Sequence, residues 1–342
     1  MKRYPFFFLA VCLLLAGCGG GGQTQPTALP DKVLALKAEI HELPVDVLRP
    51  MKLYLTDEDD KLVLLDGVKD SIFKVFRLPE VTYCYSYGRK GGGPNDFFFP
   101  NAETINTGAH DFEILDRNRL TRYQVTDSTF VPVGGSEANS PVVTTEDPVN
   151  NFKRLSADTY VFNVNQTDKS THEFRLLNRT NGTETAVAPL AQEELSMSLR
   201  QKSGHLSKYS CAHEGLHRFA AFYGDHPTFK LFDDKGNLLK KVTIEGEKAS
   251  GEERIYFVVP SATDKFIYVM WIGRDAGQVE QNLEAFRPQI LKFSWDGELL
   301  GRAKLDHPIV SIVVSEKHRT LYGFSLLEED ARRLFSYDLG AF

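Results

Sequence analysis

Phe229-Lys230-Leu231-Phe232-Asp233-Asp234, running into Lys235-Gly236, is an aromatic-rich strand that closes on an acidic, glycine-containing turn. The alternation suits a pleated, half-buried strand, and Asp and Gly are turn formers. The same unit recurs at Phe73–Pro79, Arg122–Asp127, Phe174–Asn178, Leu291–Asp296 and Leu334–Asp338, giving six instances. Measured from Pro79, Asp127, Gly182, Gly236, Gly297 and Gly340, the steps are 48, 55, 54, 61 and 43 residues. Propeller blades repeat every ~40–50 residues, so the spacing predicts an all-β, six-bladed β-propeller with loop insertions.

Working outward, each interval holds four strands, A to D. The first has Met51–Leu55, Lys61–Leu65, Ile72–Leu78 and Val81–Tyr87. The fifth has Arg254–Val259, Lys265–Ile272, Gln289–Trp295 and Leu299–Leu305. The sixth has only Ile309–Val314, Thr320–Leu326 and Arg332–Asp338. Ahead of the first blade lies an unassigned strand-like run, Lys32–Ile40. It is expected to complete the last blade as its outer strand, removing an exposed edge.

Composition bounds the function. The 342 residues are 42% hydrophobic and 25% charged, with a net charge of −6. That is a folded globular chain, and it lacks the basic footprint that nucleic acid requires. Phe (24) and Tyr (13) are abundant, which favours strands.

The N-terminus carries an address. Lys2 and Arg3 precede an apolar run, Phe6–Leu15, of ten residues, too short to span a bilayer at ~20 residues per helix. The run ends in Leu15-Ala16-Gly17-Cys18, which resembles the lipobox of bacterial lipoproteins. Residues 1–17 are therefore read as a signal peptide and Cys18 as the lipidated residue. Residues 18–31, opening with Gly19–Gly22, are read as a flexible tether, and 32–342 as the propeller. Gly19 in place of Asp after the cysteine implies, by resemblance, the outer membrane, facing the periplasm. In the mature body Cys84 and Cys211 sit in apolar contexts and read as free thiols.

The stretch from Gly88-Arg89-Lys90-Gly91-Gly92-Gly93-Pro94-Asn95-Asp96-Phe97, through Pro100, to Phe112-Glu113-Ile114-Leu115-Asp116-Arg117-Asn118-Arg119-Leu120 resembles one NHL-type repeat. With the lipobox and six blades, the chain looks like the TolB-like, six-bladed β-propeller lipoproteins of Bacteroidetes. The resemblance implies a fold and a location, and no particular activity.

Several motifs bear on chemistry. His213-Glu214-Gly215-Leu216-His217 matches HExxH, which binds zinc when a helix brings both histidines to one face. Gly215 is a poor helix former, and the following residues read as a strand, so a solvated A–B turn is expected. Gly88–Pro94, with Arg89 and Lys90, has the makings of an anion nest, but reads better as a glycine-dependent blade crossover. Asp57-Glu58-Asp59-Asp60 lacks the glycine and distal Glu of a calcium loop and reads as a hairpin turn. Phe97-Phe98-Phe99 reads as packing between blades. No catalytic constellation and no cofactor are expected.

In a propeller, D–A and B–C connections share one face, and A–B and C–D turns the other. The long segments Gly88–Asn101, Gly134–Val149, Ala188–Lys208 and Arg274–Pro288 all fall on the D–A/B–C face. Long loops on a rigid scaffold commonly carry binding. The sequence thus points to that face, near Tyr87, Arg89, Lys90, Trp271 and Arg274, as a non-catalytic surface for a protein, peptide or glycan partner. A lyase or hydrolase site at the channel mouth is the alternative. The lipobox makes a direct prediction: Cys18→Ser should move the protein from the membrane fraction to the soluble fraction on cell fractionation. Retention in the membrane would contradict the anchor.

Overall fold

A computed structural model of the chain describes residues 23–93, 96–98, 100–108, 110–134, 148–246 and 254–342. The lipobox and signal segment lie outside the described residues. Three short strands come first: β1 (Gln23–Thr27), β2 (Leu34–Leu36) and β3 (Glu39–Glu42). Blade 1 follows with β4 (Pro50–Thr56), β5 (Lys61–Asp66), β6 (Asp70–Arg77) and β7 (Thr82–Arg89). Blade 2 has β8 (Ile105–Thr107), β9 (Phe112–Asp116), β10 (Arg119–Val125) and β11 (Phe130–Pro132). Blade 3 has β12 (Val149–Arg154), β13 (Thr159–Val164), β14 (His172–Asn178) and β15 (Thr183–Pro189). Two short helices, α1 (Gln192–Leu195) and α2 (Leu199–His205), lead to blade 4: β16 (Lys208–His213), β17 (Arg218–Tyr223), β18 (Thr228–Asp233) and β19 (Leu238–Ile244). Blade 5 has β20 (Arg254–Ala262), β21 (Phe266–Asp275), α3 (Ala276–Gln281), β22 (Gln289–Ser294) and β23 (Leu299–Leu305). Blade 6 has β24 (Ile309–Ser315), β25 (Thr320–Ser325) and β26 (Arg333–Asp338).

These strands form six sheets, and the innermost strands contact one another in a closed ring: β4, β8, β12, β16, β20, β24 and back to β4. The chain is a six-bladed β-propeller. The position of each strand explains its sequence. The second strand of each blade is covered on both faces by neighbouring blades and reads as a near-continuous apolar run. In β5, Leu62, Val63 and Leu64 are wholly buried. The outer strand β15 has only its partly wet face to offer and is mostly exposed. Six apolar clusters fill the six seams, one for each pair of adjacent blades. The turn after Phe232-Asp233 shows the local logic. Asp233 Oδ1 accepts from the backbone N–H of Lys235 and Asn237 at 3.0 and 2.7 Å, and Gly236 takes φ +79°, where a side chain is strained.

The N-terminal segment closes the ring. β3 pairs antiparallel with β26, Glu42 opposite Arg333 and Glu39 opposite Ser336, and supplies the fourth strand of blade 6. Leu43 and Val47 then enter the seam between blades 6 and 1, and their N–H groups donate to Arg332 O and Ala331 O at 2.8 Å. The expected closing run, 32–40, is corrected in register. Pairing with blade 6 starts at Glu39, whereas Leu34–Leu36 adds a parallel fifth strand to blade 5 on β23. The expected tether is corrected too: Gln23–Thr27 is a strand, parallel to β19 at the edge of blade 4. The reason is shared by both. The outer strands β19 and β23 offer an unpaired edge, which an extended segment satisfies. No helix among the described residues is long and apolar enough to cross a membrane.

Candidate functional site

The ring encloses a cavity of about 730 Å³, walled by inner-strand residues of all six blades. It opens among the A–B turns, at Asp59, Gly108, Glu214, Asp264 and Glu316. Small side chains make the room: Ser210-Cys211-Ala212 on β16 and Ser261-Ala262 on β20. Side chain-to-backbone hydrogen bonds clasp the inner strands across several seams. Asn151 of β12 donates to Lys208 O at 3.0 Å and accepts from Ser210 N at 2.9 Å. Asn106 Oδ1 accepts from Arg154 N at 3.1 Å, and Ser261 Oγ from Val314 N at 2.9 Å.

The wall is electrostatically uneven. Asn101 caps a short 3-10 turn, accepting from Glu103 N at 2.9 Å, and so aims Glu103 at two lysines. Lys52 Nζ lies 2.8 Å from Glu103 Oε1, and Lys153 Nζ 3.8 Å from Oε2. One carboxylate therefore faces two ammonium groups. Burial, reinforced by Lys52, brings Lys153 down to about 8. Beside it, Arg154 is fully countered: burial disfavours its charge, but Asp111, Glu113 and Glu214 surround it and hold it on. The Asn106 Nδ2 and Ser210 Oγ atoms are buried with no protein partner. Cys211 lines the same wall, and burial raises its thiol to about 12, so it is no nucleophile.

A second charged cluster lies at the opposite face, under α1 and α2. Glu173, 2% exposed, accepts from Lys208 Nζ at 2.8 Å, Lys230 Nζ at 2.6 Å and the Tyr223 hydroxyl. Burial pushes the Glu173 carboxyl up, but the two lysines outweigh it and hold it at about 2.

The residues singled out from sequence fall as follows. HExxH is an A–B turn, not a helix: His217 N donates to Glu214 O at 3.0 Å and His217 takes φ +52°. Glu214 is paired with Arg154, His213 with the Asp264 carbonyl at 2.9 Å, and His217 lies 3.4 Å from Asp234. The two histidines thus point to different partners. Trp271 is corrected: it is core, 2% exposed, and packs edge-on against Phe257 at 4.9 Å. Tyr87 is half-buried and stacks on Phe130 at 4.5 Å. Tyr87 and Arg89 line a second, shallower hollow of about 550 Å³ between blades 1 and 2. Lys90 reaches the Gly67 carbonyl at 3.5 Å, and Arg274 is exposed. The glycine loop is a crossover, since Gly88 has φ +75° and a Cβ there would lie 2.7 Å from the Phe97 ring. The loop's amide and guanidinium donors are taken up by its own Asp96, which pairs with Arg89 at 2.7 Å and accepts from Gly93 N at 2.9 Å. Phe97 is buried, Phe98 is exposed under Arg117, and Phe99 lies outside the described residues. Asp57–Asp60 is a turn with positive φ at Asp57, Glu58 and Asp59. Cys84 and Cys211 are free, one on blade 1 and one on blade 4.

The large cavity opens on the face opposite the long loops, and none of the five surface candidates lines it. Loop length reports where insertions are tolerated, whereas cavity size is set by side-chain volume on the inner strands. The run of small residues at 210–212 and 261–262 was the available signal.

No protein-family model matches the chain, and no curated protein matches it by sequence. Solved structures do match in shape. A member of the DUF4221 family from Bacteroides vulgatus aligns over 90% of this chain and 97% of its own, with TM-score 0.58 and 11% identity. A Bacteroides fragilis protein labelled as exported aligns over 91% and 97%, with TM-score 0.52 and 9% identity. At such identities the likeness is one of fold.

The buried Glu173 cluster makes a prediction. Glu173→Ala strands two lysines in the interior and should lower unfolding free energy by about 3–5 kcal/mol. Because the folded carboxyl is held below its unfolded value, its contribution is present above pH ~4.5 and is lost as pH falls towards 2. In urea titrations from pH 7 to pH 3 the gap between wild type and variant should therefore narrow below pH ~4.5 without closing, since the folded carboxyl is still ionised at pH 3. A constant gap would contradict the assignment.

Proposed function

We propose that this chain is an extracytoplasmic, lipid-anchored binding propeller that takes a small carboxylate-bearing ligand, or the acidic end of a peptide or glycan, into its channel. The observation that carries the reading is the cavity of about 730 Å³ whose deep wall sets Lys52 and Lys153 against the single carboxylate of Glu103. The volume falls in the range of small-ligand sites, ~300–1,000 Å³. At the deep wall the second ammonium of this trio favours an anion. At the mouth, Asp59, Glu214, Asp264 and Glu316 suit hydroxyl or amino groups on the ligand's far end. A hydroxyl–carboxylate pair on the described wall, Thr263 Oγ1 donating to Glu316 Oε1 at 3.1 Å, sits at the mouth, away from the lysines of the deep wall.

Location is supported by the lipobox and by the exported label of the B. fragilis structure. Gly19 after the cysteine supports outer-membrane attachment facing the periplasm, by resemblance to lipoprotein sorting signals. The strand β1 refines the geometry of that anchor. Cys18 precedes Gln23 by five residues, a reach of at most ~18 Å. Gln23 pairs with Lys240 near the C–D turn of blade 4, so the anchor leaves from the face where the cavity opens.

The test is a thermal-shift and calorimetric panel of glucuronate, succinate and diglycine on the Cys18→Ser protein, with glucose as a neutral control. At least one carboxylate should bind, and Lys153→Met should weaken it about tenfold or more. The variant should fold, because Lys52 still balances Glu103. Binding by none, or equal binding by Lys153→Met, would overturn the reading.

A further inference from the structure

The long-loop face carries a cluster that sequence reading does not bring together. His205 ends α2 in the D–A link before blade 4, and Asp225-His226 forms the B–C turn of that blade. One ligand atom from each lies within 4.8 Å of the others. We infer that His205, Asp225 and His226 form a binding site for a single divalent transition-metal ion of the zinc class.

The donor set is the first argument. Two imidazoles and a carboxylate suit zinc and its neighbours, and too few oxygens are present for calcium. The second is the state of Asp225. Its Oδ1 is buried with no hydrogen-bond partner, and His226 Nε2 lies 3.8 Å away, beyond hydrogen-bond reach. A buried, partnerless carboxylate oxygen is costly unless something positive meets it. The third is preorganisation. The His205 and His226 rings stack at 4.5 Å, His226 also stacks on Tyr223 at 4.6 Å, and His226 Nε2 lies 3.1 Å from the His205 carbonyl. Glu194 of α1 places Oε1 3.7 Å from His205 Nε2, the kind of carboxylate that orients a metal-bound histidine.

The surroundings agree. Lys230, 3.6 Å from Glu194, is committed to Glu173 at 2.6 Å. Tetrahedral zinc bonds of ~2.0–2.1 Å place ligand atoms roughly 3.4 Å apart. The three atoms need close only by about an ångström, which the helix-terminal His205 permits.

The site lies far from HExxH, which occupies the other face, and this separates the alternatives. The experiment is calorimetric titration of tag-free Cys18→Ser protein with zinc chloride, backed by the visible spectrum of the cobalt(II) form. One ion per chain should bind. His205→Gln and Asp225→Asn, both at partly exposed positions, should each weaken binding about tenfold or more and alter the cobalt spectrum. His213→Gln and His217→Gln should leave both unchanged. Absence of binding, indifference to His205→Gln and Asp225→Asn, or loss in the His213 or His217 variants would overturn the proposal. Circular dichroism of each variant keeps misfolding from passing as lost affinity.

Discussion

The rest of the structure depends on the pairing of β3 with β26. A ring of sheets is stable only if its last sheet is complete, because each blade buries its faces against both neighbours and none has a core of its own. The C-terminal part of the chain provides three strands for blade 6, and Glu39–Glu42 provides the fourth. The same segment covers more than one edge. Leu36 joins the core between blades 5 and 6, while Leu43 and Val47 join the core between blades 6 and 1. Closure is thus a matter of backbone hydrogen bonds and of buried apolar area together. Each fully buried leucine-sized side chain contributes about 1.5–3 kcal/mol.

The channel follows from that closure. Six inner strands held at fixed spacing leave a central space, and its character comes from which side chains point inward. Serine, alanine and cysteine on β16 and β20 keep it open, whereas Lys52 and Lys153 charge it. The charge is kept because Glu103, held by the Asn101 cap, offsets part of the desolvation that burial imposes. On the opposite face, α1 and α2 fold over blade 4 and assemble the Glu173 and His205 clusters. Two chemically different clusters therefore share one scaffold, one formed by the inner strands and one by an inserted loop.

Much of the fold was legible because aromatic strands and Asp/Gly turns report local structure at a fixed spacing. Phe232, Phe293 and Phe335 are all buried within the sheets where the repeat puts them. The closing strand was legible as a missing member, but its register was not: Leu34 and Leu36 read as apolar in either blade, and only the available edge of β23 decides between them. The site was far less legible. Trp271 was placed near the loop-face binding surface because exposure cannot be read from residue type, and it is core. His205 and His226 are 21 residues apart and meet only through the path of the loop. Lys52, Glu103 and Lys153 lie on separate blades, and no local pattern joins them.

The claim beneath all of this is that residues 23–42 are structural members of the ring. The direct measurement is thermal unfolding, with solution mass, of a soluble protein that lacks them. The account predicts that the β26 edge is bared, the transition falls by roughly 10 °C or more, and the protein self-associates. A monomer with an unchanged transition would contradict it.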